Sequence, residues 1–217
     1  MEPDLSEFSY GFALTSELVA RHKLKRAGAP HFATQIAEAK AGGGWDMKLP
    51  GLPVFLQFKR TDRMVRRTAH EAHKFRSLPF FRMHLRRRSH SRQHQLLLDL
   101  ENGGNQVFYA GPAFATSEDL NAAYIGDLVT KRSVIIRPSA IGPLPDDKSH
   151  HVAFQLPSPV FFCSEPKPIE TVDLDALLSE SLKQKAATQP RREPTEFFLA
   201  VADEMLDVYE ERSRSRQ

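Results

Sequence analysis

The sequence predicts a fold that mixes α-helices with β-strands. Three observations carry that expectation. Residues 4–24 hold apolar side chains at roughly helical spacing, namely Leu5, Phe8, Phe12, Leu18 and Val19. Residues 45–60 read as two strands joined by a Pro50-Gly51 turn, the second being the apolar run Val54-Phe55-Leu56-Gln57-Phe58. Residues 91–110 read as a helix that stops at Asn102-Gly103-Gly104, followed by the buried strand Gln106-Val107-Phe108-Tyr109-Ala110.

The remaining elements follow in chain order. Ala27-Gly28-Ala29-Pro30 ends the first helix. Residues 31–41 form a short helix or an ordered loop, and Gly42-Gly43-Gly44 gives a flexible approach to Asp46. Residues 61–78 are polar and basic, irregular or helical. Alternation predicts a strand over 79–85. Ser117 caps a helix reaching about Thr130, with Glu118 and Asp119 in its first turn. Strands are expected at 133–137, 151–155 and 160–163, and helices at 173–185 and 195–212, the second amphipathic. A disordered tail is expected after that. The chain divides into a main domain over 1–165 and a C-terminal helical extension over 166–217.

Composition narrows the class. With 217 residues, 41% of them hydrophobic and 26% charged, the chain suits a water-soluble protein with a real core. No apolar run nears the roughly 20 residues of a membrane span, and the acidic start Met1-Glu2-Pro3-Asp4 is unlike a signal peptide. The single cysteine, Cys163, excludes an intramolecular disulfide and fits a reducing compartment, so a cytoplasmic location is expected. The net charge of +3 says little, but its distribution is uneven. Between Lys59 and Arg92 lie Arg60, Arg63, Arg66, Arg67, Lys74, Arg76, Arg82, Arg86, Arg87 and Arg88, opposed only by Asp62 and Glu71. Such a block suits a polyanionic partner; a solvated basic face is the alternative.

Within the 45–60 hairpin, side chains alternate faces. Val54, Leu56 and Phe58 share one face; Phe55, Gln57 and Lys59 share the other. A Lys beside an apolar strand needs a partner, and Asp46 on the neighbouring strand supplies one. Asp46 and Lys59 are therefore either a structural ion pair or the core of a metal-dependent phosphodiester-cleaving site. His150-His151 is a poor metal pair, because neighbours in a strand point opposite ways. Trp45 and Cys163 read as packing residues.

An acid on one strand, then Gln57-Phe58-Lys59 on the next with ten residues between Asp46 and Gln57, resembles the PD-(D/E)xK or restriction-endonuclease-like nuclease superfamily in its Q-x-K variant. The order helix, strand, strand, strand or loop, helix, strand over residues 5–112 resembles that family's core. The resemblance implies a central mixed β-sheet flanked by helices. It also implies a Mg²⁺- or Mn²⁺-dependent endonuclease acting on DNA, double-stranded by preference, in restriction or anti-phage defence, as a homodimer or with a partner defence protein. The alternative is a nuclease-fold protein without catalysis that binds nucleic acid or scaffolds a complex. By the same resemblance the catalytic set is Asp46, Gln57, Lys59 and Glu17. The metal ligands are Asp46, Gln57, the Phe58 carbonyl and Glu17, with Glu7 and Glu38 as rivals for the last place. Arg60, Arg63, Arg86, Arg88, Gln93 and His94 are the expected nucleic-acid contacts.

Overall fold

The computed structural model describes residues 2–165 and 167–188. The helix expected over 195–212 and the tail after it lie outside the described residues. The chain divides into two compact units, residues 1–179 and 180–217. The first unit therefore extends past the expected boundary at 165 and takes in the start of the next helix.

Helix α1 (Glu7–Arg21) begins at Ser6, whose side chain accepts a hydrogen bond from the Ser9 amide at 2.9 Å. It is shorter than the expected 4–24; a 3₁₀ turn, Leu24–Ala27, follows Lys23 in the left-handed region at φ 54°. The buried face of α1 carries Tyr10, Gly11, Leu14 and Leu18. Gly11 is required there, since a Cβ would stand 2.5 Å from Phe58 Cδ2. Phe8 and Phe12 of the expected apolar stripe instead face outward, 71% and 55% exposed.

Among the described residues the strands form two five-stranded sheets, not the single central sheet that was expected. The first joins β1 (His31–Phe32), β2 (Met47–Lys48), β3 (Val54–Phe58), β6 (Gln106–Pro112) and β7 (Ser133–Ile136) in the order β1-β2-β3-β6-β7. It is mixed: β3 and β6 run parallel, the other pairs antiparallel. The second joins β4 (Thr61–Met64), β5 (Phe80–Leu85), β8 (His150–Phe154), β9 (Val160–Phe162) and β10 (Lys167–Pro168) in the order β10-β9-β8-β5-β4, antiparallel throughout. Strand β4 corrects the expectation of irregular or helical structure after residue 60. Thr61-Asp62-Arg63-Met64 has no apolar alternation of its own and is held by pairing with β5, Asp62 opposite Arg82.

One core fills the space between the sheets. Phe55, Val107, Tyr109 and Ile136 of the first sheet share it with Phe81, Met83, Val152 and Phe154 of the second. Helix α3 (Gln93–Asn102) adds Leu97 to this core. The short helices α2 (Gln35–Glu38) and α5 (Pro138–Ile141) lie in connections. Helix α4 (Ser117–Ile125) is capped by Thr116 rather than Ser117 and stops at Gly126, short of the expected Thr130. The last helix, α6 (Leu174–Thr188), buries Leu174 and Leu178 in the first unit. The protein is thus of mixed α and β class. Among the described residues no helix is long and apolar enough to cross a membrane.

Candidate functional site

The site forms where β3 ends. All five residues of β3 are buried, and the strand's last backbone bond continues past it: Lys59 N donates to Ala110 O at 2.9 Å. Gln57 and Lys59 leave the same face, as alternation requires. Asp46 sits just before β2, its amide bonded to Leu56 O at 2.9 Å, so its side chain lies across from the end of β3. The glycines before it form a tight turn rather than a flexible approach. Gly44 N donates to Glu38 O at 2.8 Å; at φ +84° a Cβ there would stand 2.9 Å from Gln93 O. This packing ties the Asp46 loop and α2 to the start of α3.

The bonds within the site are specific. Asp46 Oδ2 accepts from Gln57 Nε2 at 2.6 Å and from the Phe58 amide at 2.7 Å. Gln57 Nε2 also donates to Phe58 O at 3.1 Å. Both partners of that nitrogen are acceptors, which fixes the amide orientation. Gln57 Oε1 is consequently buried without a hydrogen-bond partner. Such an orphaned acceptor costs roughly 1–3 kcal/mol. Lys59, 4% exposed, donates to Gln93 Oε1 at 2.5 Å, and Gln93 Nε2 donates to Glu38 Oε1 at 3.0 Å. Glu7, in the first turn of α1, accepts from the Arg60 amide at 3.3 Å. It lines one cavity with Asp46 and Phe58 and a second with Lys59, Arg60 and Arg86.

Burial dominates the electrostatics. It raises the Asp46 carboxyl to about 6, assisted by Glu38 and Glu7 and opposed by the Phe58 amide and the Lys59 ammonium. Burial also pulls the Lys59 ammonium down, against the carboxylates of Glu7, Asp46 and Glu38 and with the help of Arg86. A carboxyl and an ammonium both moved toward neutrality in one cleft are a functional-site signature.

Three expected placements change. Glu17 is buried elsewhere: it accepts from Val129 N at 2.7 Å and Thr130 N at 3.2 Å and pairs with Arg21 at 2.5 Å. It stands ten residues beyond Glu7 on α1, about 15 Å along the axis, so it belongs to the α1 packing and not to the Asp46 cleft. Gln93 is an inner residue linking Lys59 to Glu38 rather than a surface contact. His94 is buried with both ring nitrogens engaged, by Tyr109 Oη at 2.9 Å and Gly142 O at 2.8 Å. The carbonyl requires the proton on Nε2, and burial lowers the ring's basicity. The exposed Arg88 donates to Leu144 O at 3.0 Å. Arg60 and Arg86 do reach the cleft with Lys59 and His84, whereas Arg63 lies on β4.

No family model matches this chain, and no curated protein or solved structure matches it either. The chemistry of the cleft therefore rests on its own atoms. Asp46, Phe58 O, Gln57 Oε1 and the nearby Glu7 and Glu38 are hard oxygen donors, the set that Mg²⁺ or Mn²⁺ favours. The orphaned Gln57 oxygen and the elevated Asp46 carboxyl are both groups that a cation would satisfy.

A second cluster lies on the other sheet. Glu71, His151 and Cys163 bring their donor atoms within 4.8 Å of one another. Glu71 is already bonded to Arg82, with Nε at 3.0 Å, and to His151 Nε2 at 2.7 Å. Burial raises the Cys163 thiol to about 11. These soft and mixed donors do not suit Mg²⁺, and the Arg82 pairing accounts for the buried Glu71. His150 points the other way, to Ser164 Oγ at 2.6 Å, as alternation along the strand predicts. Trp45 packs edge-on against Phe55 and donates to Gly42 O at 2.8 Å.

Proposed function

We propose that the protein is a metal-dependent nuclease that hydrolyses phosphodiester bonds of DNA, with Asp46, Gln57, Lys59 and Glu7 as its working residues. The observation that carries this reading is the Gln57 amide, whose nitrogen lies between Asp46 Oδ2 and Phe58 O while its oxygen is buried without a partner. The Gln57 NH₂ group bridges these two oxygens as a cation would. Rotating the amide by half a turn would direct Oε1 to the same place. Bound Mg²⁺ or Mn²⁺ would supply Lewis-acid stabilisation of the phosphoryl oxygens and a more acidic water. Asp46 and Phe58 O would hold the metal, and Glu7, which shares a cavity with Asp46, would add the second carboxylate. Lys59, held by Gln93 and shifted toward its neutral form, orients the attacking water and takes its proton. Arg60 and Arg86 hold the flanking phosphates. Restriction or anti-phage defence in the cytoplasm, as a homodimer or with a partner protein, is the setting proposed for this activity.

The test is cleavage of plasmid DNA with Mg²⁺ or Mn²⁺ by the wild type, Asp46→Ala and Lys59→Ala. Metal-dependent nicking by the wild type alone supports the proposal. One observation favours a second reading, a nuclease-fold protein that binds DNA without cutting it. In the described structure the Gln57 amide already satisfies Asp46 Oδ2. Salt-sensitive binding with no cleavage under either metal would select that reading.

A further inference from the structure

The two cavities that meet at Glu7 differ in character. One, of about 350 Å³, is lined by Lys59, Arg60, His84 and Arg86 together with Glu2, Glu7 and Asp62. The other, of about 250 Å³, is lined by Glu7, Phe8, Phe32, Ala33, Asp46 and Phe58. The second is below the roughly 300–1,000 Å³ of a drug-sized ligand pocket and on the scale of one ring system. Its rim is two exposed aromatic rings. Phe8 is 71% and Phe32 37% exposed, with ring centroids 6.3 Å apart and planes tilted by 50°. Packing does not account for Phe8, which lies off the buried face of α1.

A nucleotide has the same two-part character. Its phosphate seeks cations and its base seeks an aromatic face. We propose that Phe8 and Phe32 form a stacking platform for an unpaired nucleobase, next to the Asp46 cleft, while Arg60 and Arg86 take the neighbouring phosphates. This inference rests on the nucleic-acid reading of the cleft and extends it by naming the substrate's form. A base within a duplex presents only its edges, so a base face reaches this rim only in a single strand, at a frayed end or after flipping. Arg60 and Arg86 in the first cavity offer phosphate partners that a purely apolar occupant would not use.

The experiment measures binding in EDTA, where cleavage is suppressed. The probes are a single-stranded oligonucleotide carrying 2-aminopurine and the matching duplex. The proteins are wild type, Phe8→Ala/Phe32→Ala, Phe8→Tyr/Phe32→Tyr and Arg86→Ala. The wild type is expected to prefer the single strand and to quench the 2-aminopurine. The double alanine variant is expected to lose that quenching and roughly 5- to 100-fold in single-strand affinity, with its salt slope unchanged. The tyrosine variant retains both properties. Arg86→Ala weakens both probes and lowers the salt slope by about one. Wild-type binding that the alanine variant leaves unaltered overturns the platform and leaves the nucleic-acid reading standing. The same follows if light scattering shows that the alanine variant dissociates a wild-type dimer without changing single-strand affinity; the rim is then a subunit contact. Absence of wild-type binding to either probe overturns the nucleic-acid reading and the platform with it.

Discussion

Gln57 Nε2 lies 2.6 Å from Asp46 Oδ2, while the oxygen of the same amide is buried without a partner. Gln57→Glu would place a second carboxylate at that separation. Like charges this close oppose joint ionisation, so the variant is expected to melt below wild type in EDTA. Added Mn²⁺ should more than restore it, because ligand binding to the folded state stabilises by mass action. Calorimetric titration should show Mn²⁺ binding at least about tenfold tighter than in wild type. Unchanged or weaker binding would show that Gln57 does not border a cation site.

Asp46→Asn keeps an acceptor for the Phe58 amide but removes the charge. The Asp46 carboxyl is raised by burial to about 6, above its ordinary value of 3.8. The folded state therefore binds the extra proton more tightly than the unfolded state. This group's share of stability is lost as pH rises from about 4 to about 6 and stays lost above that. The Asn variant is expected to be more stable than wild type at pH 7.5 without metal, by at most about 3 kcal/mol. The difference should shrink toward pH 4. Thermal melts across pH in EDTA measure it. With metal bound, the cation would hold Asp46 ionised, so the loss of wild-type cleavage on acidification should fall at lower pH than the metal-free titration.

Lys59→Met retains the apolar stem of the side chain and removes the ammonium that Gln93 accepts from. Cleavage is expected to drop by about 100-fold or more, the usual scale for a general acid–base group. Relief of the desolvated charge offsets the loss of one bond, so the melting temperature should change little. A large drop in stability with proportionate loss of activity would instead make Lys59 a structural residue.

Glu17→Gln separates the helix α1 packing from the chemistry. Glu17 pairs with Arg21 and caps the Val129 and Thr130 amides. Its neutralisation is expected to cost on the order of 2–4 kcal/mol, since it unbalances a buried charge. Metal affinity and the pH profile of the residual folded protein should match wild type. Glu7→Gln should behave in the opposite way, weakening metal binding with little effect on melting. Measuring both variants by melting and by Mn²⁺ titration separates the two glutamates.

The part of the site legible in the sequence was the part set by strand alternation. Gln57 and Lys59 must share a face, and a short hairpin must bring Asp46 near them. Glu17 illustrates the limit. Helical spacing says which face a residue occupies, not which end of the helix meets a strand from another element. The ten-residue offset from Glu7 to Glu17 is therefore invisible to periodicity. Phe8 and Phe12 were read as core for the same reason, since an apolar stripe looks alike whether or not something covers it. Strand β4 was missed because its polar residues are ordered by β5 and not by their own pattern. His94 could have been suspected as a core residue from its place just ahead of Leu96-Leu97-Leu98.

Only Lys59 and Arg60 separate β3 of the first sheet from β4 of the second. The crossing is pinned from both sides by β6, through Lys59 N to Ala110 O and Thr61 Oγ1 to Pro112 O at 2.6 Å. The ammonium that Gln93 holds is thus borne by the joint between the sheets. Lys59 and Asp46 are both fixed to the first sheet, and the second sheet begins at Thr61, so a change that strains the joint reaches the cleft and the sheet packing at once.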